Sequence, residues 1–140
     1  MAATQFELVT PTRTLYSGQA EMIVCHSVSG EIAFLANHMP YIGALDTGLV
    51  RIVGPVSHGD GGTEPDVRLA VHGGFVEVKD NQVIMLADVA ELPSEIDVER
   101  ARRAEAEASQ ALSTGGDEQS HTEAEAALRR ARTRLEAAQA

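Results

Sequence analysis

A change of period near Pro93 constrains this chain more than any other feature of its sequence. Before it, short runs of Val, Ile and Leu are punctuated by turn residues about every 8–12 positions, the spacing of a sandwich or barrel. After it, β-branched residues become rare, and Ala, Glu and Arg dominate. A switch from a two-residue to a 3.6-residue period predicts a sheet followed by helices. The expectation is a β + α chain. Residues 1–90 form an antiparallel β-sandwich of about ten short strands, and residues 91–140 form a two-helix antiparallel hairpin.

Within the first part, residues 19–28 read as one alternating strand. Ala20, Met22, Val24 and His26 fall on one face, and Glu21, Ile23, Cys25 and Ser27 on the other. Asp80-Asn81 reads as a hairpin turn. The stretch from Gly54 to Asp66 is rich in Gly and Pro and reads as a loop rather than a strand. It lacks the glycine followed by Lys and Ser/Thr that a phosphate-cradling loop needs. Gly73-Gly74 permits positive φ or a close backbone approach. Leu86 and Ala87 are expected in the core, with Asp88 ending a strand.

In the second part, Asp97 is an N-cap for a helix over about 97–112. Ser113 to Asp117 breaks it. Ser120-x-x-Glu123 reads as a capping box opening a second helix over about 121–138. Ala124, Leu128, Ala131, Leu135 and Ala138 form a heptad seam, faced by Val98, Ala101, Ala104 or Ala108, and Leu112. Glu99–Arg103 and Glu125–Arg129 are spaced as intrahelical ion pairs. The large aliphatics are few: Val98, Leu112, Leu128 and Leu135. Each contributes roughly 1.5–3 kcal/mol when fully buried. Ordering the backbone costs about 1 kcal/mol or more per residue. The hairpin is therefore marginal alone and weakly docked, which suits either a static arm or a movable one.

A net charge of −10 argues against nucleic-acid binding, which needs Lys and Arg to displace counterions. The single cysteine, Cys25, alternates with His26 along a strand, so the two cannot share a face. His26, His38, His58, His72 and His121 show no metal-ligand spacing. The chain is expected to be non-catalytic. No apolar run approaches the ~20 residues of a membrane span, and no export signal is visible at the N-terminus. Membrane association is expected only through a partner.

A series of short segments carries a family resemblance. In order they are Tyr16-Ser17-Gly18, Ser29-Gly30-Glu31-Ile32, Asn37-His38-Met39-Pro40, Gly48-x-Val50-Arg51-Ile52, Gly73-Gly74-Phe75-Val76-Glu77-Val78, Leu86-Ala87-Asp88-Val89-Ala90-Glu91 and Ile96-Asp97-Val98-Glu99-Arg100-Ala101. With Asn37 in place of a usual glycine, the series resembles the bacterial-type epsilon subunit of F-type rotary ATP synthases, over roughly residues 4–138. The resemblance implies a non-catalytic rotor subunit of the central stalk. It would couple the gamma subunit to the membrane c-ring on the cytoplasmic face of a bacterial plasma membrane. Its mobile hairpin would regulate ATP hydrolysis, reaching the alpha and beta catalytic subunits when extended. Glu31 and His38 would face the ring from neighbouring turns at one end of the sandwich.

The resemblance further implies a regulatory site for ATP, presented as MgATP. Its residues would be Glu91, Ile96, Asp97, Arg100, Ala101, Arg130 and Arg134. Arg130 and Arg134 lie one helical turn apart and share a face, and Arg100 can complete a guanidinium clamp for phosphates. Asp97 and Glu91 would hydrogen-bond the base or ribose, while Ile96 and Ala101 pack the base. Glu107 stands where such binders carry another arginine. The same basic residues also suit the helix dipole or docking on acidic surfaces. A stand-alone sandwich and coiled-coil adaptor is the alternative reading.

Overall fold

The computed structural model describes residues 3–58 and 62–138. Ten strands run β1 (Thr4–Val9), β2 (Thr14–Ala20), β3 (Met22–Ser27), β4 (Gly30–Leu35), β5 (Tyr41–Leu45), β6 (Gly48–His58), β7 (Thr63–Val71), β8 (Gly74–Lys79), β9 (Gln82–Ala87) and β10 (Ala90–Glu91). They hydrogen-bond in the order β10-β7-β6-β2-β1-β9-β8-β5-β3-β4, and a further β6–β3 pairing folds the sheet back on itself. Apart from the parallel β1–β9 pair, the ladders are antiparallel. A turn at Pro93–Glu95 then leads into helices α1 (Val98–Ser113) and α2 (Glu118–Ala138). The β-sandwich followed by a helical hairpin is as expected. Among the described residues, no helix is long and apolar enough to cross a membrane.

Alternation places the core. Phe6 and Leu8 of β1, Val76 and Val78 of β8, and Val83 and Met85 of β9 all point inward and meet Ile23, Phe34, Ile52 and Leu69. The Asp80-Asn81 turn has φ of 51° and 57°, and Lys79 pairs with Gln82 across it. These left-handed values are those of a tight hairpin turn, which Asp and Asn tolerate.

Four local expectations are corrected. Residues 19–28 are two strands, broken at Glu21, whose N–H donates to the Val53 carbonyl at 3.0 Å. The break shifts the phase, so Ala20 is buried in the same core as Ile23 and Cys25. Residues 54–66 are not simply a loop. Strands β6 and β7 run through most of this stretch and absorb Gly54-Pro55 as a register irregularity between Val53 and Val56. Val56, fully buried, anchors the far side of that irregularity in the core. The tip at 59–61 lies outside the described residues. Leu86 is 56% exposed, because the inward positions of β9 are Val83, Met85 and Ala87. Finally, α2 begins at Glu118, with Ser120 inside it. Asp117 supplies the cap, accepting from the Ser120 N–H at 2.7 Å.

Helix α2 packs on α1 and also on β6 and β7. Its buried residues are Ala124, Ala131, Thr133, Leu135 and Ala137. Leu128, expected in the seam, is only half-buried. Ala137 joins Leu49 and Ala70 of the sheet, with Ile96 beside them. So small a cluster gives the hairpin little apolar hold on the sandwich. Ion pairs supplement it. Arg129 Nη1 donates to both oxygens of Asp46 at 3.1 Å, and Arg132 reaches Glu105 of α1 at 3.4 Å. Glu125 pairs with His121 at 2.9 Å, so the expected Glu125–Arg129 pair gives way to these contacts.

Candidate functional site at the seam between sheet and hairpin

Strand β10 has two residues, yet it organises the seam. Ala90 and Glu91 pair with Val71 and Ala70 at the end of β7, and the His72 N–H donates to the Val89 carbonyl at 2.9 Å. This sets Glu91 beside His72. The chain then tightens into one turn, in which the Leu92 N–H donates to Glu95 Oε1 at 2.9 Å and Glu95 also pairs with Arg13. These two contacts hold the Glu95 carboxyl below its ordinary range, the backbone N–H having the larger effect. Asp97 accepts from the Arg100 N–H at 3.1 Å and starts α1, the cap expected of it.

The far end of α2 returns to this corner. Glu91 Oε1 accepts from Arg134 Nε at 2.7 Å and from His72 Nε2 at 2.9 Å. A cleft of about 290 Å³ opens between the turn and the two helices. Glu91, Glu95, Asp97, Arg100, Ala101 and Arg134 are among the residues that line it. The structure thus brings together Glu91, Asp97, Arg100, Ala101 and Arg134 of the sequence-selected set. Ile96 does not line the cleft and packs instead beside Leu49, Ala70 and Ala137. Arg130 is exposed, one turn before Arg134 and outside the lining. Glu107 lies on the exposed side of α1. Guanidinium groups of Arg100 and Arg134 can receive an anion, and the carboxylates can accept from hydroxyl or amino groups.

His72 escaped the sequence reading. Its side chain is 5% exposed, and its buried Nδ1 has no hydrogen-bond partner among the described residues. Burial lowers its pKa from the ordinary histidine value, and Arg134 and Arg130 push the same way, against the hydrogen bond to Glu91. The ring is therefore neutral at neutral pH, with Nε2–H donating to Glu91. Nothing in the local pattern around His72-Gly73-Gly74 marks it as buried; the pairing of β7 with β10 does that.

Glu31 and His38 occupy opposite ends of β4, not one end of the sandwich. Glu31, second in the strand, sits opposite His26, with 3.7 Å between Oε2 and Nε2. His38 lies beyond Leu35, where its Nδ1–H donates to the Met39 carbonyl at 2.7 Å and its ring meets Phe34 edge-on at 5.0 Å. Four residues of β4, Ile32 to Leu35, separate the two in extended backbone, so the turns that carry them are not neighbours at one end. A further feature lies on the outer sheet. Phe75 and Leu86 are cross-strand partners on β8 and β9, 62% and 56% exposed, with Ile42 of β5 exposed nearby. Contiguous exposed apolar side chains mark contact surfaces more often than chance.

The chain is a sandwich with an apolar outer strip, carrying a hairpin that rests on it through a small apolar cluster and a few ion pairs. Its two parts match two family descriptions in chain order. Residues 3–93 match the ATP synthase delta/epsilon chain β-sandwich domain, and residues 94–139 the ATP synthase delta/epsilon chain long α-helix domain. The chain belongs to the ATP synthase delta/epsilon family. The ATP synthase epsilon chain of Brevibacillus brevis is 46% identical over 112 residues, covering 80% of each chain. That of Shouchella clausii is 40% identical over 138 residues, covering 99% of this chain and 96% of the relative. A chain in the cryo-EM structure of the Euglena gracilis mitochondrial ATP synthase, comprising OSCP, F1 and c-ring in rotational state 1, superposes with a TM-score of 0.76. It is 26% identical and covers 100% of this chain and 83% of its own.

Proposed function

We infer that this chain is a non-catalytic rotor subunit in the central stalk of a proton-translocating ATP synthase, coupling the gamma subunit to the membrane c-ring. The observation that carries this reading is the completeness of the likeness: both domains, in order, with an epsilon chain 40% identical across 99% of this chain. The Euglena chain belongs to an assembly containing F1 and a c-ring. The apolar strip around Phe75 and Leu86 suits a gamma-type partner. Glu31 and His38 remain separate candidates for contact with the ring, because they lie at opposite ends of β4. In a bacterium the subunit would sit on the cytoplasmic face of the plasma membrane, held there by the complex.

The hairpin is the regulatory element in this reading, reaching the alpha and beta subunits when extended. Its seam cleft, with Arg100 and Arg134 facing Glu91 and Asp97, is the place for a regulatory ATP. Glu107 in place of an arginine weakens the phosphate clamp. Affinity purification of the tagged full chain from its native membranes tests the reading. Recovery with gamma and the catalytic subunits is expected. Recovery of the chain with none of them would favour a stand-alone adaptor.

A further inference from the structure

The seam holds a titratable group that the nucleotide reading does not use. His72 donates through Nε2–H to Glu91 Oε1 at 2.9 Å, and the same oxygen accepts from Arg134 Nε at 2.7 Å. One carboxylate oxygen therefore ties the end of β7 to α2. His72 Nδ1 is buried and has no hydrogen-bond partner among the described residues. A second proton on the docked ring would place an N–H where nothing accepts it, which is costly.

The charged groups facing the ring come from two elements. Glu91 of β10 favours the imidazolium; Arg134 and Arg130 of α2 oppose it. On the other side of β7, β6 sets the uncharged Gly48 opposite Val71. When α2 leaves, both arginines leave with it and water reaches the seam. Glu91 stays, because β10 holds it on the sheet.

We propose that His72, Glu91 and Arg134 form a proton-sensitive latch that keeps the hairpin on the sandwich at neutral pH and releases it on acidification. The proposal rests on the reading that the hairpin moves. The undocked ring, beside Glu91 and free of both arginines, takes up a proton in the ordinary histidine range or above it. The docked ring is held below that range by burial and by the arginines. The docked state thus binds fewer protons. Its stability is complete above the ordinary histidine pKa and is lost as pH falls through that value towards the docked one. With an undocked pKa near 6.5, one such group raises the undocked population by at most about fourfold at pH 6.0 and about tenfold at pH 5.5, limits reached when the docked ring takes up no proton.

Hydrogen–deuterium exchange of α2 in the full chain, corrected for intrinsic rates, reads this population at pH 7.5 and 6.0. Wild type should show a rise in α2 opening of up to about fourfold, with sandwich peptides unchanged. His72→Gln keeps an amide N–H for Glu91 but does not titrate, and its opening should be flat across the range. An equal rise in His72→Gln, or no rise in wild type, overturns the latch. Arg134→Ala separates this outcome from failure of the mobile-hairpin reading. If Arg134→Ala loosens α2 at pH 7.5 while wild type ignores pH, the hairpin moves but the latch is wrong. If neither changes α2, both fail. NMR titration of the His72 ring, lower in wild type than in Arg134→Ala, provides a readout that needs no His72 variant. Equal values would count against the latch.

Discussion

Glu91 and Arg134, far apart in sequence, share a hydrogen bond of 2.7 Å at the junction of the sheet and the hairpin. Arg134 is 32% exposed and Glu91 24%, so the contact is neither fully solvated nor sealed. An anion entering the cleft must compete with Glu91 for that guanidinium. Calorimetric titration of MgATP into the full chain should therefore saturate only at concentrations on the order of millimolar. Arg130→Ala/Arg134→Ala should remove the signal. Heat that persists undiminished in the double variant would move the phosphates elsewhere.

Gly74 is a fixed point of the sandwich. Its φ is +130°, and a Cβ there would lie 2.2 Å from the Leu86 carbonyl oxygen and 2.8 Å from the Ala87 Cα. Both neighbours are backbone in the same ladder, so neither can yield alone. Gly74→Ala should cost at least about 3 kcal/mol, combining a disfavoured backbone conformation with a clash. Gly115, at φ +81° with open space around it, should lose only about 1 kcal/mol on the same change. Paired thermal denaturation curves check the contrast, and similar midpoints would contradict it.

Cys25 is fully buried in β3, and burial, with a smaller push from Glu31, raises its thiol to about 12. At pH 8 it stays protonated and out of reach. Alkylation of the folded chain should be at least ~100-fold slower than in denaturant, because the thiolate is the reacting form. Rapid labelling under native conditions would mean that β3 opens readily.

The division into sheet and hairpin was legible because the period changes at Pro93, and the Asp97 cap was legible because an acceptor precedes an alanine-rich run. The cleft was legible in part. Glu91, Asp97, Arg100, Ala101 and Arg134 line one cleft, whereas Ile96 and Arg130 do not. What was not legible depends on pairing across the chain. Gly54-Pro55 reads locally as a loop, but Val56 resumes the ladder because the core has a place for it. Leu86 looks like core beside Ala87, yet strict alternation through Val83 and Met85 turns it outward. Ser120 reads locally as the cap of α2, but it lies inside the helix. Asp117 caps it instead, directly after the positive-φ glycines Gly115 and Gly116. His72 is buried only because a two-residue strand, later in the chain, closes beside β7.

The central claim is that this chain is a stalk component that binds gamma through its sheet. The most direct test is titration of the full chain with its cognate gamma subunit, alongside Phe75→Glu. Phe75 is 62% exposed, so the substitution should change stability by no more than about 0.5 kcal/mol. Wild type should form a stable equimolar complex, and Phe75→Glu, with an unchanged melting curve, should weaken it at least about tenfold. No complex between wild type and gamma would contradict the account. Full binding by Phe75→Glu would leave the stalk role standing and move the interface to another face.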